Sequence, residues 1–172
     1  MPETTHLAGQ KATNQAARLA HVALVGEALT RLSPILEADR AQAVADLQAE
    51  NHFVPTGVAD GPYSLTLSIH EGRLVFDIAS HADPQAGSIR TIALALGPFR
   101  GLIKDYQMLV ESHIKAVEEG REARIQAIDM GRRGLHNEGA ALMTERLAGK
   151  VDIDFETARR LFTLVCVLHQ RI

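Results

Sequence analysis

Between Tyr63 and Ser80 the apolar residues alternate along two arms that meet at Glu71-Gly72, and this leaves the segment one workable way to pair. Tyr63, Leu65, Leu67 and Ile69 are interleaved with Ser64, Thr66, Ser68 and His70, and Leu74, Phe76 and Ile78 alternate in the second arm. A period of two marks strands, and a short Gly-containing break between them marks a hairpin. With Glu71-Gly72 as the turn, Ile69 faces Leu74, Leu67 faces Phe76 and Leu65 faces Ile78. All the large apolar side chains then fall on one face. A slip of one residue would bury Thr66 and Asp77 instead. The opposite face carries Ser64, Thr66, Ser68, His70, Arg73 and Asp77, and water is its expected neighbour. A sheet with one apolar face needs a covering layer, and helical patterns elsewhere supply it.

Ile92, Leu94 and Leu96 alternate with small residues and predict a third strand at about 89–96, after a Pro- and Gly-containing loop at 81–87. The run Arg18-Leu-Ala-His-Val-Ala-Leu-Val25 fits an edge strand or the end of a helix, and strand is preferred. Ser33-Pro34 gives an N-cap and a first-turn proline for a helix over about 34–50, whose apolar face of Ile35, Leu36, Val44 and Leu47 is interrupted. Pro98 opens a second helix, about 98–118, with Phe99, Leu102, Ile103, Tyr106, Val110, His113 and Val117 at helical spacing. Arg100, Lys104, Asp105 and Glu111 lie mostly off that stripe, on what reads as a solvated face. Two more helices follow, at about 122–148 and, capped by Asp152 or Asp154, at about 154–170. The last carries a wide apolar arc through Phe155, Ala158, Leu161, Phe162, Leu164, Val165 and Leu168. The expected fold is α+β: a small antiparallel sheet with helices over one face.

The chain has 172 residues, of which 46% are hydrophobic, enough for one domain with a real core. Residues 1–17 read as a loose polar tail and 18–172 as the domain. With 18 basic and 21 acidic residues the net charge is -3, so no global positive field draws the protein to nucleic acid. The single cysteine, Cys166, sits between valines and reads as a small buried hydrophobe in a reducing compartment. The start of the chain lacks the basic stretch and apolar run of a signal peptide, and no apolar run approaches the roughly 20 residues needed to span a bilayer. A cytoplasmic location away from membranes is expected.

One segment resists this reading. Ile128-Asp-Met-Gly-Arg-Arg-Gly-Leu-His-Asn-Glu-Gly139 places three glycines inside a helical pattern, each costing about 0.8–1.0 kcal/mol relative to Ala. At 3.6 residues per turn, Ile128, Gly131, Leu135, Gly139 and Leu142 share a stripe, on which small residues let another helix approach, most naturally the C-terminal one. Asp129, Arg132, Arg133 and His136 occupy a different arc. Asp129 and Arg133 have ion-pair spacing, as do Arg132 and His136 for gripping an anion. If the last helix is a neighbour, Arg159 and Arg160 bring the guanidinium groups to four, enough for a phosphate, a carboxylate or a nucleic-acid backbone. An ordinary surface ion pair competes with that reading.

Other chemistry is poorly served. His136, Glu138, Asp152 and Asp154 are suitable metal ligands at unsuitable spacing, so no metal is expected. The serines stand outside any nucleophile elbow, and no glycine-rich phosphate loop or cofactor motif is present. Gly131-Arg-Arg-Gly134 has the outline of a nucleic-acid-clamping loop without the surrounding strand order.

Gly61-Pro-Tyr-Ser-Leu-Thr-Leu-Ser-Ile69, Arg73-Leu-Val-Phe-Asp-Ile78, Pro98-Phe-Arg100 with Lys104-Asp-Tyr106, the Ile128–Gly139 segment, and Ile153-Asp-Phe-Glu-Thr-Ala-Arg-Arg-Leu-Phe-Thr-Leu-Val-Cys-Val-Leu-His169 together closely resemble a family of short, uncharacterised alphaproteobacterial proteins. The resemblance runs from about Ser33 to the C-terminus. The segment before Ser33 is longer and richer in alanine than the pattern. What the resemblance implies is a bacterial cytoplasmic protein, with no catalytic or binding residue to carry over.

The leading expectation is a non-enzymatic binding or regulatory module. It would use Arg132, Arg133, His136, Arg159 and Arg160 on an acidic protein or a phosphorylated ligand, with nucleic acid less favoured. The alternatives are a small enzyme with His136 as general acid or base beside Asp129 or Glu138, and a subunit of a homo-oligomer with an exposed apolar patch on the sheet or on the Phe99 helix.

Overall fold

The computed structural model describes residues 15–169. Strand β1 (Leu19–Val25) leads through a 3-10 turn to helix α1 (Pro34–Ala49), which Ser33 caps by accepting from the Leu36 N–H. The short β2 (Phe53–Pro55) precedes the hairpin β3 (Tyr63–His70) and β4 (Arg73–Ser80), and β5 (Ser88–Ala95) follows. A 3-10 turn at Gly97–Phe99 then opens α2 (Arg100–Glu118), and α3 (Glu122–Leu147) comes next. The chain closes through β6 (Val151–Ile153) into α4 (Phe155–Leu168), capped by the Asp154 carboxylate accepting from the Thr157 N–H at 2.8 Å.

The hairpin has the register its alternation demands: Ile69 opposite Leu74, Leu67 opposite Phe76, Leu65 opposite Ile78. Its turn places Glu71 at φ 50 and Gly72 at φ 73, both left-handed, which matches the twist of the strands it joins. Leu65, Leu67, Leu74, Phe76 and Ile78 are wholly buried beneath the helices. The outer face is polar, with Arg73 and Asp77 exposed. Cys166 is buried among its valine neighbours, and burial pushes its thiol pKa up, as its sequence context suggested.

Two features depart from the expected antiparallel sheet. The main sheet has the order β1-β3-β4-β5, and β1 pairs parallel to β3, so the sheet is mixed. Helix α1 lies within the crossover connection that a parallel pair requires. The outer edge of β1 is closed by side chains at the end of α1: Asn51 accepts from the Leu19 N–H at 2.7 Å and donates to its carbonyl at 2.8 Å, while Gln48 accepts from the Val22 N–H. This closure satisfies backbone groups that would otherwise invite another strand. A second, two-stranded sheet joins β2 to β6 in antiparallel pairing, Phe53 opposite Ile153. Each of its strands has three residues, too few to carry a period.

Of the expected tail 1–17, residues 1–14 lie outside the described residues, whereas the carbonyls of Ala16 and Ala17 already accept from Gly61 and Phe53. The last helix ends at Leu168, and residue 170, to which it is expected to run, lies outside the described residues. Helix α4 is buried along almost its whole length and packs against α1, α2 and α3, which makes it the centre of the helical layer. Val117, expected on the apolar stripe of α2, is 53% exposed, as are Met108 and Ile114 in comparable degree. Among the described residues no helix is long and apolar enough to cross a membrane.

Candidate functional site

The glycine-bearing segment lies in the middle of α3, and its three glycines have three different surroundings. A Cβ at Gly139 would sit less than 3.0 Å from ring carbons of Phe162, so the absence of a side chain is what lets α3 meet α4. Gly131 faces Leu109 of α2, at an ordinary 3.6 Å, and not the C-terminal helix. Gly134 has nothing near it. The stripe expected to meet one partner is therefore divided between two, with one glycine left over.

The polar arc is rearranged more deeply. Asp129 does not pair with Arg133 as its spacing suggested; it lies 3.9 Å from His113 of α2 and 3.9 Å from Arg132. Arg133 is exposed and makes no ion pair with a described residue. Arg132 leans the other way, onto α1, with Nη2 2.5 Å from the Asp39 carboxylate, and both side chains are mostly buried. The Tyr106 hydroxyl of α2 donates to the same carboxylate oxygen, also at 2.5 Å. Asp39 thereby ties three helices together. Burial acts to lower the Arg132 pKa, but the Asp39 charge, Tyr106, the hydrogen bond to Asp39 and Asp129 outweigh it and raise the value. Burial and the Asp39 charge likewise hold the Tyr106 phenol well above its ordinary pKa.

His136 lies beside this junction. Its ring packs 5.7 Å from Tyr106 and edge-on to Phe162 at 6.2 Å, and its Nε2 is buried without a partner among the described residues. Burial, together with the charges of Arg132 and Arg159, lowers its pKa to about 4, with Asp39 partly opposing them. The imidazole is therefore neutral at physiological pH. Glu138 lines a separate groove between α2 and α3, so neither acid expected beside His136 stands in its cleft.

Arg159 and Arg160 do arrive from α4. With His136, Asp39 and Asp46 they line a cleft of about 220 Å³ between α1, α3 and α4. Arg160 reaches Asp46 at 3.9 Å and Glu156 at 3.8 Å, and donates to the Glu50 carbonyl. Arg159 forms no ion pair with a described residue, and its Nε is buried without a partner. Four converging guanidinium groups were expected. Arg133 is absent from the cleft, Arg132 is neutralised behind it by Asp39, Arg160 is matched by acids, and Arg159 remains. The nearby carboxylates of Asp39, Asp46 and Glu156 equal Arg132, Arg159 and Arg160 in number. A cleft so balanced carries no net positive charge to attract a polyanion such as a nucleic-acid backbone.

Sequence reasoning missed Asp39 and Asp46. The signal was the interruption in the α1 face: Asp39 stands between Leu36 and Ala43, both buried, so a carboxylate occupies an apolar stripe. Among the described residues no group of three or more metal-ligating side chains comes together.

The model of an uncharacterised protein family, UPF0262, matches residues 16–171. The chain belongs to this family. Its match reaches back past Ser33 to include β1, the strand whose edge Asn51 closes. A UPF0262 protein of Granulibacter bethesdensis is 68% identical over 163 residues, covering 90% of this chain and 91% of the relative. One from Acidiphilium cryptum is 58% identical, with 90% and 93% covered, and one from Rhizobium johnstonii 49%, with 90% and 96%. No solved structure matches the chain.

Proposed function

We propose that this UPF0262 protein is a non-catalytic binding module whose cleft between α1, α3 and α4 takes a carboxylate or phosphate group carried by a phosphorylated ligand or an acidic protein. The observation that carries the proposal is the state of Arg159: its guanidinium lines the cleft, its Nε is buried, and no carboxylate among the described residues pairs with it. A buried donor without an acceptor costs about 1–3 kcal/mol, and an anion entering the cleft removes that cost. His136 supports binding over catalysis. A base whose conjugate acid has a pKa of about 4 is weak at neutral pH, while a neutral imidazole offers one donor and one acceptor to a bound group.

The test is an NMR titration of the arginine Nε–Hε resonances with inorganic phosphate and with acetate. Saturable movement of the Arg159 signal is the expected result, with the heat of phosphate binding, read by calorimetry, lost in Arg159→Gln at an unchanged melting temperature. A signal that stays still, or that moves linearly with every exposed arginine, overturns the proposal. Arg132→Ala is the wrong probe, because it leaves Asp39 without its ion-pair partner.

A further inference from the structure

A second concavity shares no residue with the Arg159 cleft. It is a groove of about 800 Å³ between the start of α1, one side of α2 and the end of α4. Leu36, Ile103 and Val110 form a buried apolar floor. Arg100 and Lys104 line it from the first turns of α2, and Arg31 from the segment before α1. None of these three cations forms an ion pair with a described residue, and Glu111 is the one carboxylate in the lining. Farther along α2 the same wall presents Met108, 56% exposed, and Ile114, 37% exposed.

The placement of the charges argues against an ordinary solvated face. Arg100 and Lys104 stand at i and i+4, where like charges repel by a few tenths of a kcal/mol. They also occupy the helix end at which the backbone dipole disfavours cations. No ion pair with a described residue offsets either penalty, and an anion in the groove would relieve both. The exposed Met108 and Ile114 carry the complementary message for the other end. From Lys104 to Ile114 the helix rises about 15 Å, so a ligand lying along it meets cations first and hydrocarbon after. An inorganic anion leaves the apolar end bare, and a neutral hydrocarbon leaves the cations unmatched.

We infer that this groove binds a single-chain amphiphilic anion, its carboxylate or phosphate head held by Arg100, Lys104 and Arg31 and its hydrocarbon tail lying along Met108 and Ile114. The inference is independent of the proposal for Arg159, and either stands if the other fails.

Calorimetric titration of the full chain with decyl phosphate and with decanoate, each below its micelle concentration, tests it against three controls: inorganic phosphate, decyltrimethylammonium and decanol. The expected result is that both anionic amphiphiles bind at least about tenfold more tightly than any control, one decade corresponding to about 1.4 kcal/mol. Lys104→Glu should weaken both by a similar factor. Met108→Ser should weaken decyl phosphate and leave inorganic phosphate unaffected. Both side chains are exposed, so these two variants should melt with the wild type, and Arg159→Gln should bind decyl phosphate normally. Equal affinity for inorganic phosphate reduces the groove to a simple anion site and overturns the inference, as does equal affinity for decanol. Binding only to anionic phospholipid vesicles, or only to an acidic amphipathic peptide, assigns the groove to a membrane surface or a protein partner and likewise overturns it.

Discussion

Gly139 and Gly134 lie five residues apart in one helix, and opposite outcomes are expected when each becomes alanine. At Gly139 the added methyl meets the Phe162 ring, and overpacking should cost about 2–3 kcal/mol, more than the helix propensity gained. At Gly134 nothing opposes the methyl, so the variant should be more stable by up to about 1 kcal/mol, as read from urea midpoints. The spacing of the glycines made the close approach at Gly139 legible in the sequence, because period alone places a residue on a face. It did not reveal that Gly134 has no neighbour, since that depends on where α2 ends up. His136 shows the same limit, because its oddity is burial beside two guanidinium groups that come from different helices. Burial and those charges hold its pKa at about 4, below the ordinary 6.5, so the unfolded chain takes up the proton first as pH falls. Its contribution is complete above about pH 6.5 and disappears on the way down to about pH 4, amounting to about 3 kcal/mol. Urea denaturation across that window should therefore give a shallower decline with acidification for His136→Phe than for the wild type. Parallel curves would place the imidazole in water.

Among the elements, the hairpin was readable because two independent signals, the turn and the alternation, specified the same register. The direction of β1 was not readable, since a period of two is the same for a parallel and an antiparallel strand; direction is set by the α1 crossover and by Asn51 closing the outer edge. The β2–β6 pair escaped notice for a different reason: Phe53 and Ile153 pair across a hundred residues, and no local pattern records that. The hairpin turn retains a local conflict. Glu71 adopts φ 50, a conformation costing a residue with an ordinary side chain about 1–2 kcal/mol, whereas asparagine tolerates it. Glu71→Asn should stabilise the protein by about 1 kcal/mol, and Gly72→Ala, at φ 73, should destabilise it by a similar amount. Thermal melts of the two single variants check both signs.

At the scale of the whole molecule, α4 gives the helical layer its apolar centre, and Asp39 gives it a polar junction. Apolar contacts, such as that of Gly139 with Phe162, hold the helices near one another. One carboxylate that accepts from both Tyr106 and Arg132 adds a directional tie among them, and it also positions an arginine whose charge adds to burial in keeping His136 neutral. The sequence supplied each of these residues, but their assembly was hidden because Asp39, Tyr106 and Arg132 are separated by 67 and 93 positions from Asp39 onward. The Arg132 and Asp39 side chains are 16% and 19% exposed, so the pair is shielded enough for its loss to matter. Asp39→Ala leaves a mostly buried guanidinium and a phenol without their acceptor, and should cost about 3 kcal/mol. Arg132→Met in the Asp39→Ala background removes the stranded charge and should recover part of that loss. Urea denaturation of the four members of the cycle should give a coupling of about 1 kcal/mol or more. A coupling near zero would mean that water screens the pair. In that case packing on α4 alone sets the arrangement of the three helices, and with it the shape of the Arg159 cleft.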